Sequence, residues 1–331
     1  MTTIMAAGLQ FGTTVVSLPK FDPGSFLEAA ARHRVTFMGL VPPIVAFLAK
    51  HPLVDKYDLA AVRTVFSGAA PLSPDLQLAV EQRLKGAVCR QGFGMTELSP
   101  VSHIASPALP SKPGSVGPPV PGTACRIVDV DAAEGGGAPR LLPAGAANVG
   151  ELQVRGPQVM LGYHNNARAT AETLTSDGWL RTGDLAYFDA DGDFFVVDRL
   201  KELIKVKGLQ CAPAELEGVL LSHPLIYDAA VVGRADERAG EVPVAFIVSR
   251  ASMLRAMGRA KDADALPQLT SEAVRDFVAT KVADYKRLAA VAFVESIPKA
   301  ASGKILRRVL RDRVRAELAA TAAPQQQKAA T

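Results

Sequence analysis

Apolar positions in the first hundred residues switch between two spacings. Phe26, Leu27, Ala30 and Ala31 recur at i, i+1, i+4 and i+5, the stripe of an amphipathic helix. The short apolar run 35–41 predicts a buried strand, and a second helix is predicted after Pro43. Residues 62–66 read as another strand that runs directly into Ser67-Gly68-Ala69-Ala70-Pro71. A further strand ends at Gln91-Gly92-Phe93-Gly94. Strand, small-residue turn, then helix is the grammar of an α/β fold. Ligands in open α/β sheets sit beyond the carboxyl ends of the strands, which makes both glycine turns candidate site walls. The first eighteen residues are apolar and carry no Lys or Arg before Lys20, so they are expected to be core sequence and not a secretory signal.

The pattern changes between residues 105 and 165, where Pro, Gly and short β-like runs (126–130 and 150–154) predict a small β subdomain. Glu134-Gly135-Gly136-Gly137 lacks the following Lys and Ser of a phosphate loop and is expected to be a hairpin tip. Beyond Arg199 a helix is predicted over 213–221, with Leu216, Val219 and Leu220 on one face. Strands follow at 229–232 and 242–248, then a helix at 271–282, a strand at 291–294 and a basic helix from Lys304 to about Leu318. This is the outline of a compact α+β domain. No period survives across 250–269, which reads as a loop insertion, and the Ala- and Gln-rich tail from Ala319 is expected to be disordered.

Composition narrows the function classes. A chain of 331 residues suits two domains, and 48% apolar residues exclude wholesale disorder. Thirty-seven basic against thirty-three acidic residues leave a net charge of +4, with no basic run suited to nucleic acid. Cys89, Cys125 and Cys211 stand far apart, and the five histidines lack metal-ligand spacing. Reduced thiols in the cytoplasm are expected. The apolar stretch 40–49 is too short to span a bilayer, and the C-terminal Lys328-Ala329-Ala330-Thr331 is no peroxisomal address.

Several segments carry polar residues in positions that invite chemistry. Gln91-Gly92-Phe93-Gly94-Met95-Thr96-Glu97 also reads as an ordinary strand-to-helix turn, with Thr96 as N-cap and Glu97 in the first helical turn. Asp184, after a Thr-Gly turn, reads as a turn cap, and Arg199 as one side of a surface salt bridge. Lys201, Lys205 and Lys207 fit the solvent face of an edge strand. Lys304 at a helix start would oppose the macrodipole, whereas Arg307, Arg308, Arg311, Arg313 and Arg315 read as a solvated helix face. Asp189-Ala190-Asp191-Gly192-Asp193 has its glycine in the wrong place for an EF-hand and is expected to be a hairpin turn.

Taken in order, these segments, with Gly178-Trp179-Leu180-Arg181-Thr182-Gly183-Asp184, the junction 198–208 and Pro298-Lys299-Ala300-Ala301-Ser302-Gly303-Lys304, resemble the adenylate-forming ligases. The resemblance is greatest to the 4-coumarate–CoA ligase branch and runs from about Ile4 to Leu318. It implies the C-terminal part of a large AMP-binding domain over 1–198, with mixed sheets and a β subdomain, then a small α+β C-terminal domain over 199–318 and a tail over 319–331. It also implies two steps: a carboxylate attacks the α-phosphate of ATP, and the coenzyme A thiol then displaces AMP. In that scheme Gly68, Ala69, Gln91, Gly92 and Thr96 contact the adenylate, Glu97 holds Mg²⁺, and Asp184 and Arg199 bind the ribose. Lys201 is the hinge and belongs with the adenylate contacts, Lys205, Gln210 and Lys304 are catalytic, and Lys207 with Gly208 meets coenzyme A. The expected partners are a phenylpropenoic acid of phenylpropanoid metabolism, ATP and coenzyme A, acting on a monomer. Phe93 and Cys211 depart from residue types usual in the branch and bear on fine specificity. The family's phosphate loop, rich in Ser, Thr and Gly and ending in Lys, precedes every segment present here. Gly12-Thr13-Thr14 with Pro19-Lys20 lacks its spacing, so the resemblance implies a chain shortened at its start. The alternatives are a medium- or long-chain acyl–CoA ligase, or a non-catalytic piece that only binds adenylate or coenzyme A.

Overall fold

The computed structural model describes residues 2–105, 107, 110–130, 139–300 and 303–316. The chain divides into two compact units, Met1–Val197 and Asp198–Thr331.

In the first unit, α1 (Ala7–Gln10) is followed by α2 (Pro23–Arg32), α3 (Pro42–Lys50) and α4 (Pro74–Arg83). Each of the last three opens on proline, whose fixed φ suits the first helical turn and whose missing N–H is not needed there. Asp22 and Ser73 cap α2 and α4 by accepting from Ser25 N at 2.8 Å and Leu76 N at 3.4 Å. Strands β1 (Phe37–Leu40), β2 (Thr64–Ser67) and β3 (Val88–Gly94) pair in parallel, and β4 (Val101–Ile104) adds antiparallel to β3. Leu27, Val45, Leu48, Val65, Val80 and Cys89 form the core between this sheet and its helices. The expectation that the first eighteen residues are core does not hold. Leu9 and Phe11 are 67% and 81% exposed, because these residues form short helical turns with no strand pairing among the described residues.

A second sheet follows in the order β5 (Ala124–Val128), β6 (Gly150–Arg155), β7 (Leu180–Phe188) and β8 (Phe194–Arg199), with α5 (Ala167–Thr173) between β6 and β7. Leu98, Ile127, Leu152, Val154 and Leu180 fill its core. The tip expected at 134–137 and the tail over 319–331 lie outside the described residues. The turn at 189–193 closes on the Lys112 ammonium, which meets Asp189, Asp191 and Asp193 at 2.7, 2.7 and 2.9 Å. Those three hydrogen bonds push the Lys112 pKa up.

His103 sits inside this unit with no exposed surface. Its Nδ1 lies 2.9 Å from Ser102 Oγ and its Nε2 3.4 Å from Cys125 Sγ. The ring stands between Phe93 and Phe194, at 5.8 and 4.6 Å between centroids. Burial pulls the imidazole down to about 3 from 6.5, so the folded protein keeps it neutral.

The second unit holds β9 (Ile204–Val206), β10 (Leu209–Cys211), β11 (Ile226–Asp236), β12 (Gly240–Ser249) and β13 (Ala290–Phe293). The sheet order is β10-β9-β12-β11, with β13 parallel to β12. Helix α6 (Pro213–Ser222) and, later in the chain, α9 (Ser271–Ala279) cover one face, around Leu216, Leu220, Ala245, Ile247, Val274 and Val278. The segment 250–269, expected to be a loop insertion, folds instead as α7 (Arg250–Ala256) and α8 (Ala260–Asp264). Seven and five residues are too few to display a period. The last helix among the described residues, α10, spans 307–316.

The arginines of α10 are not one solvated face. Arg307 donates from Nη2 to Glu217 Oε2 at 3.0 Å, pairs through Nη1 with Glu217 Oε1, and donates to Val231 O at 3.0 Å. Arg311 pairs with Glu202, and Arg313 lies 5.8 Å from the centre of the Phe246 ring. Arg308 and Arg315, at 94% and 78% side-chain exposure, fit the solvated reading, and Arg313 is exposed as well. Leu310 and Val314 complete the second core of this unit, against Val232, Val244 and Phe246.

Two outcomes follow from these buried groups. Unfolding frees His103 to take a proton below about 6.5, so its contribution to stability is complete above that pH and is lost as pH falls toward 3. His103→Gln is expected to flatten the acid side of a denaturant-stability profile by about 1.4 kcal/mol per pH unit between pH 6 and 4. Arg307→Met, by stranding a buried carboxylate, is expected to cost roughly 3–5 kcal/mol, and the double variant Arg307→Met/Glu217→Met to recover part of that loss in the same measurement.

Candidate functional site

Parallel pairing places Ser67 opposite Gln91, so the ends of β2 and β3 lie side by side. The turn after β2 is held from both neighbours. Gly68 N donates to Leu40 O at 3.1 Å, and the Gln91 amide accepts from Leu72 N at 2.9 Å and donates to Leu72 O at 3.1 Å. Gln91 is 3% exposed, and its side chain is engaged by this clamp. Ala69 adopts φ +71°, a left-handed conformation that costs a non-glycine residue roughly 1–2 kcal/mol. Such positions concentrate at ligand sites. Ser67 Oγ is buried with no hydrogen-bond partner among the described residues.

Close approach leaves little room for side chains along the next strand, and backbone contact requires glycine at Gly94. A Cβ on Gly92 would meet Phe66 Cζ at 2.5 Å, and one on Gly94 would meet Pro100 O at 1.8 Å. Residues Thr96–Leu98 then form a single 3-10 turn whose N-cap is Met95, with no side-chain cap, so Thr96 is not the N-cap and its side chain is exposed. Glu97 is half-buried and accepts from Tyr163 Oη at 2.8 Å, while its backbone O accepts from Met160 N at 2.9 Å. Glu97 in turn pushes the Tyr163 pKa up.

Asp184 comes from the second sheet and is 4% exposed. It lies within an irregularity in β7 where Gly183 takes φ +69° and Asp184 N donates to Thr182 Oγ1 at 3.0 Å. Bulges of this kind turn a side chain away from the regular alternation.

The remaining candidates belong to the second unit. Asp198 accepts from Arg199 N at 2.7 Å and from Ala214 N at 2.8 Å, anchoring the junction to the start of α6. Burial pushes the Asp198 pKa up, against those two hydrogen bonds and the nearby Arg307 charge. Arg199 is exposed, and Lys201 lies in the 3-10 turn Leu200–Glu202 and not on a strand. Strands β9 and β10 form a hairpin that places Lys205 directly opposite Gln210, both exposed, while Ile204, Val206 and Cys211 point inward. Its turn is Lys207-Gly208, with φ +51° and +81°, the signature of a type I′ turn. Because β10 and not β9 is the edge, and Lys207 is in the turn, the edge-strand reading of the three lysines fails. Lys304 is exposed and precedes α10, in a loop closed by the Lys299–Ile305 bridge and by Ala300 N donating to Lys304 O at 2.8 Å.

The structure thus joins Gly68 and Ala69 to Gln91 through the Leu72 clamp, and Lys205 to Gln210 across the hairpin. Tyr163 was not singled out by sequence, since one tyrosine after a glycine carries no periodic signal.

The AMP-binding enzyme family model matches residues 1–164, and the AMP-binding enzyme C-terminal domain model matches 215–304. Among curated relatives, 4-coumarate–CoA ligase 2 of Oryza sativa subsp. japonica is 45% identical over 96% of this chain and 52% of its own length. The 4-coumarate–CoA ligase 1 of Solanum tuberosum is 46% identical over 96% and 55%. The chain spans about half the length of the curated relatives it matches. Among solved structures, the anthranilate CoA ligase AuaEII in complex with anthranoyl-AMP superposes with a TM-score of 0.78 at 28% identity, over 93% of this chain and 55% of that one. ATP-bound MatB from Rhodopseudomonas palustris gives 0.78 at 27% identity, over 93% and 56%.

The hairpin geometry sets a stability outcome. Asparagine tolerates positive φ better than lysine, so Lys207→Asn is expected to stabilise the β9–β10 hairpin by about 0.5–1 kcal/mol, and Gly208→Ala to destabilise it by a similar amount. Hydrogen exchange at the amides of β9 and β10 reads both changes.

Proposed function

The chain belongs to the AMP-binding enzyme family, and from that premise we propose that it serves ATP-dependent carboxylate–CoA ligation of the 4-coumarate type. The observation that carries this reading is Asp184, a buried carboxylate turned out of the regular strand alternation by an irregularity in β7. A carboxylate so placed suits the two hydroxyls of a ribose. The relatives' names supply the acid: a phenylpropenoic acid such as 4-coumarate.

Two displacements make up the reaction. An oxygen of the substrate carboxylate attacks the α-phosphorus of ATP, the bond to pyrophosphate breaks, and an acyl-adenylate results. The sulfur of coenzyme A then attacks the acyl carbon, and AMP leaves. Residues 1–198 act as the AMP-binding part and 199–318 as the smaller C-terminal part. Gly68, Ala69, Gln91 and Gly92 supply a flat backbone wall for adenine, and the exposed Thr96 hydroxyl suits a phosphate oxygen. Arg199 is a second candidate contact for the ribose. Glu97 Oε1 is taken by Tyr163, while its Oε2 has no partner among the described residues and fits a hard cation. Glu97 would hold Mg²⁺, which supplies charge neutralisation for the polyphosphate when bound. Lys304 stabilises negative charge during adenylation by electrostatic preorganisation. Lys205 and Gln210, paired across the hairpin, act in catalysis, Lys207 and Gly208 meet coenzyme A, and Lys201 is the hinge. The thiols of Cys89, Cys125 and Cys211 are all free and pushed by burial up to about 12, which suits a reducing compartment such as the cytoplasm.

Asp184→Ala is expected to weaken AMP binding by about ten- to a hundredfold, the range for a lost hydrogen bond to a charged group. Calorimetry on the folded variant checks this, and unchanged affinity removes Asp184 from the site. Lys304→Ala is expected to depress acyl-adenylate formation from 4-coumarate and ATP while sparing thioester formation from supplied coumaroyl-adenylate. Equal loss in both half-reactions would defeat that division of roles.

A further inference from the structure

We infer that Glu151 is a positioning residue for Asp184, acting through the backbone N–H of Gly183. The inference rests on the ribose reading of Asp184 given above. Pairing of β6 with β7 runs Gly150 to Ala186 and Glu151 to Leu185, then resumes at Gln153 opposite Arg181. Two steps along β6, from 151 to 153, therefore face four along β7, from 181 to 185. Backbone groups inside that gap leave the ladder and need other partners.

Side chains supply them. Glu151 Oε1 accepts from Gly183 N at 3.1 Å, Thr182 Oγ1 accepts from Asp184 N at 3.0 Å, and the same hydroxyl donates to Leu152 O at 2.7 Å. The Gly183 bond fixes the peptide that leads into Asp184, and with it the direction in which the aspartate leaves the strand. Glu151 is itself braced. Its Oε2 accepts from Gln153 Nε2 at 3.1 Å, and Gln153, 4% exposed, accepts through Oε1 from Arg126 Nε at 2.9 Å. Arg126 lies over the Trp179 ring at 4.2 Å, and Arg155 lies over the same ring at 4.7 Å. The relay therefore runs from an aromatic anchor through Arg126, Gln153 and Glu151 to the amide next to Asp184. A carboxylate suits the third place because it offers two acceptor oxygens to two donors and carries no proton of its own to misplace.

The test uses the full chain and five variants, Asp184→Ala, Glu151→Ala, Glu151→Gln, Gln153→Leu and the double Asp184→Ala/Glu151→Ala. AMP affinity is read by calorimetry, exchange at the Gly183 amide by NMR, and folding by circular dichroism. Glu151→Ala is expected to lose Gly183 protection and to weaken AMP about tenfold, the effect of one lost hydrogen bond to a charged group. Glu151→Gln keeps the Oε1 acceptor and is expected to recover most of both, which a general loss of packing would not allow. Adding Glu151→Ala to Asp184→Ala is expected to cause no further loss, because both act on one contact. If Glu151→Ala fails to fold, Gln153→Leu removes the brace alone and is expected to give a smaller loss of the same sign. Parent-like AMP affinity in folded Glu151→Ala or, in its place, Gln153→Leu, with Asp184→Ala impaired, overturns the inference and leaves the ribose reading standing. Unchanged affinity in Asp184→Ala, or a parent chain with no affinity for AMP, defeats the ribose reading and the inference with it.

Discussion

A buried backbone amide must find a partner, and in this protein the irregular turns meet that requirement with the side chains of a few buried polar residues. Gln91 clamps both backbone groups of Leu72, Asp198 takes the free N–H groups of Arg199 and Ala214, and Glu217 accepts from Val231 N. The groups so held lie in a turn at Leu72, at the junction and the first turn of α6, and on β11, the strand that ends its sheet. The glycine turns and the junction keep their shape because these bonds hold them. The same residues are costly to bury alone, so each is held in turn: Gln91 by Gln77, Glu217 by Arg307.

That dependence separates the parts of the fold that sequence displays from those it hides. Helices α2, α3 and α4 are legible because proline opens each of them, Asp22 and Ser73 cap α2 and α4, and an apolar stripe marks the face of α2. The parallel strands are legible as short apolar runs ending in small residues. Helices α7 and α8 are not, because one or two turns leave no period to detect. The arginines of α10 misled for a different reason: a charged helix looks solvated until its carboxylate partners, Glu217 and Glu202, are known, and both lie about ninety or more positions away. The apolar opening segment misled in the opposite sense, since apolar composition does not by itself bury a residue.

The candidate site divides along the same line. Gly94 and Gly208 announce themselves, since close backbone approach at the one and positive φ at the other leave few other choices. Family resemblance carried Asp184, Lys205, Gln210 and Lys304, whose types alone would suit any surface. Tyr163 and Glu151 escaped both routes. Each is a single polar residue in a run that reads as ordinary loop or strand, and its importance comes only from the atom opposite it in space: Glu97 for Tyr163, Gly183 N for Glu151.

The turn over 189–193 shows what it means for a chain to carry its own counter-charge. Three aspartates converge on the Lys112 ammonium in a loop whose composition otherwise suits a bound ion. An ion occupies such a loop according to its concentration and leaves when a chelator competes for it. A lysine fixed in the same chain is present at a constant effective concentration, so dilution and chelation do not reach it. The order of this turn, and of the start of β8 that follows it, is therefore uncoupled from the divalent-ion content of the medium. In a protein proposed to use magnesium elsewhere, that separates the metal needed for chemistry from the charge needed for architecture.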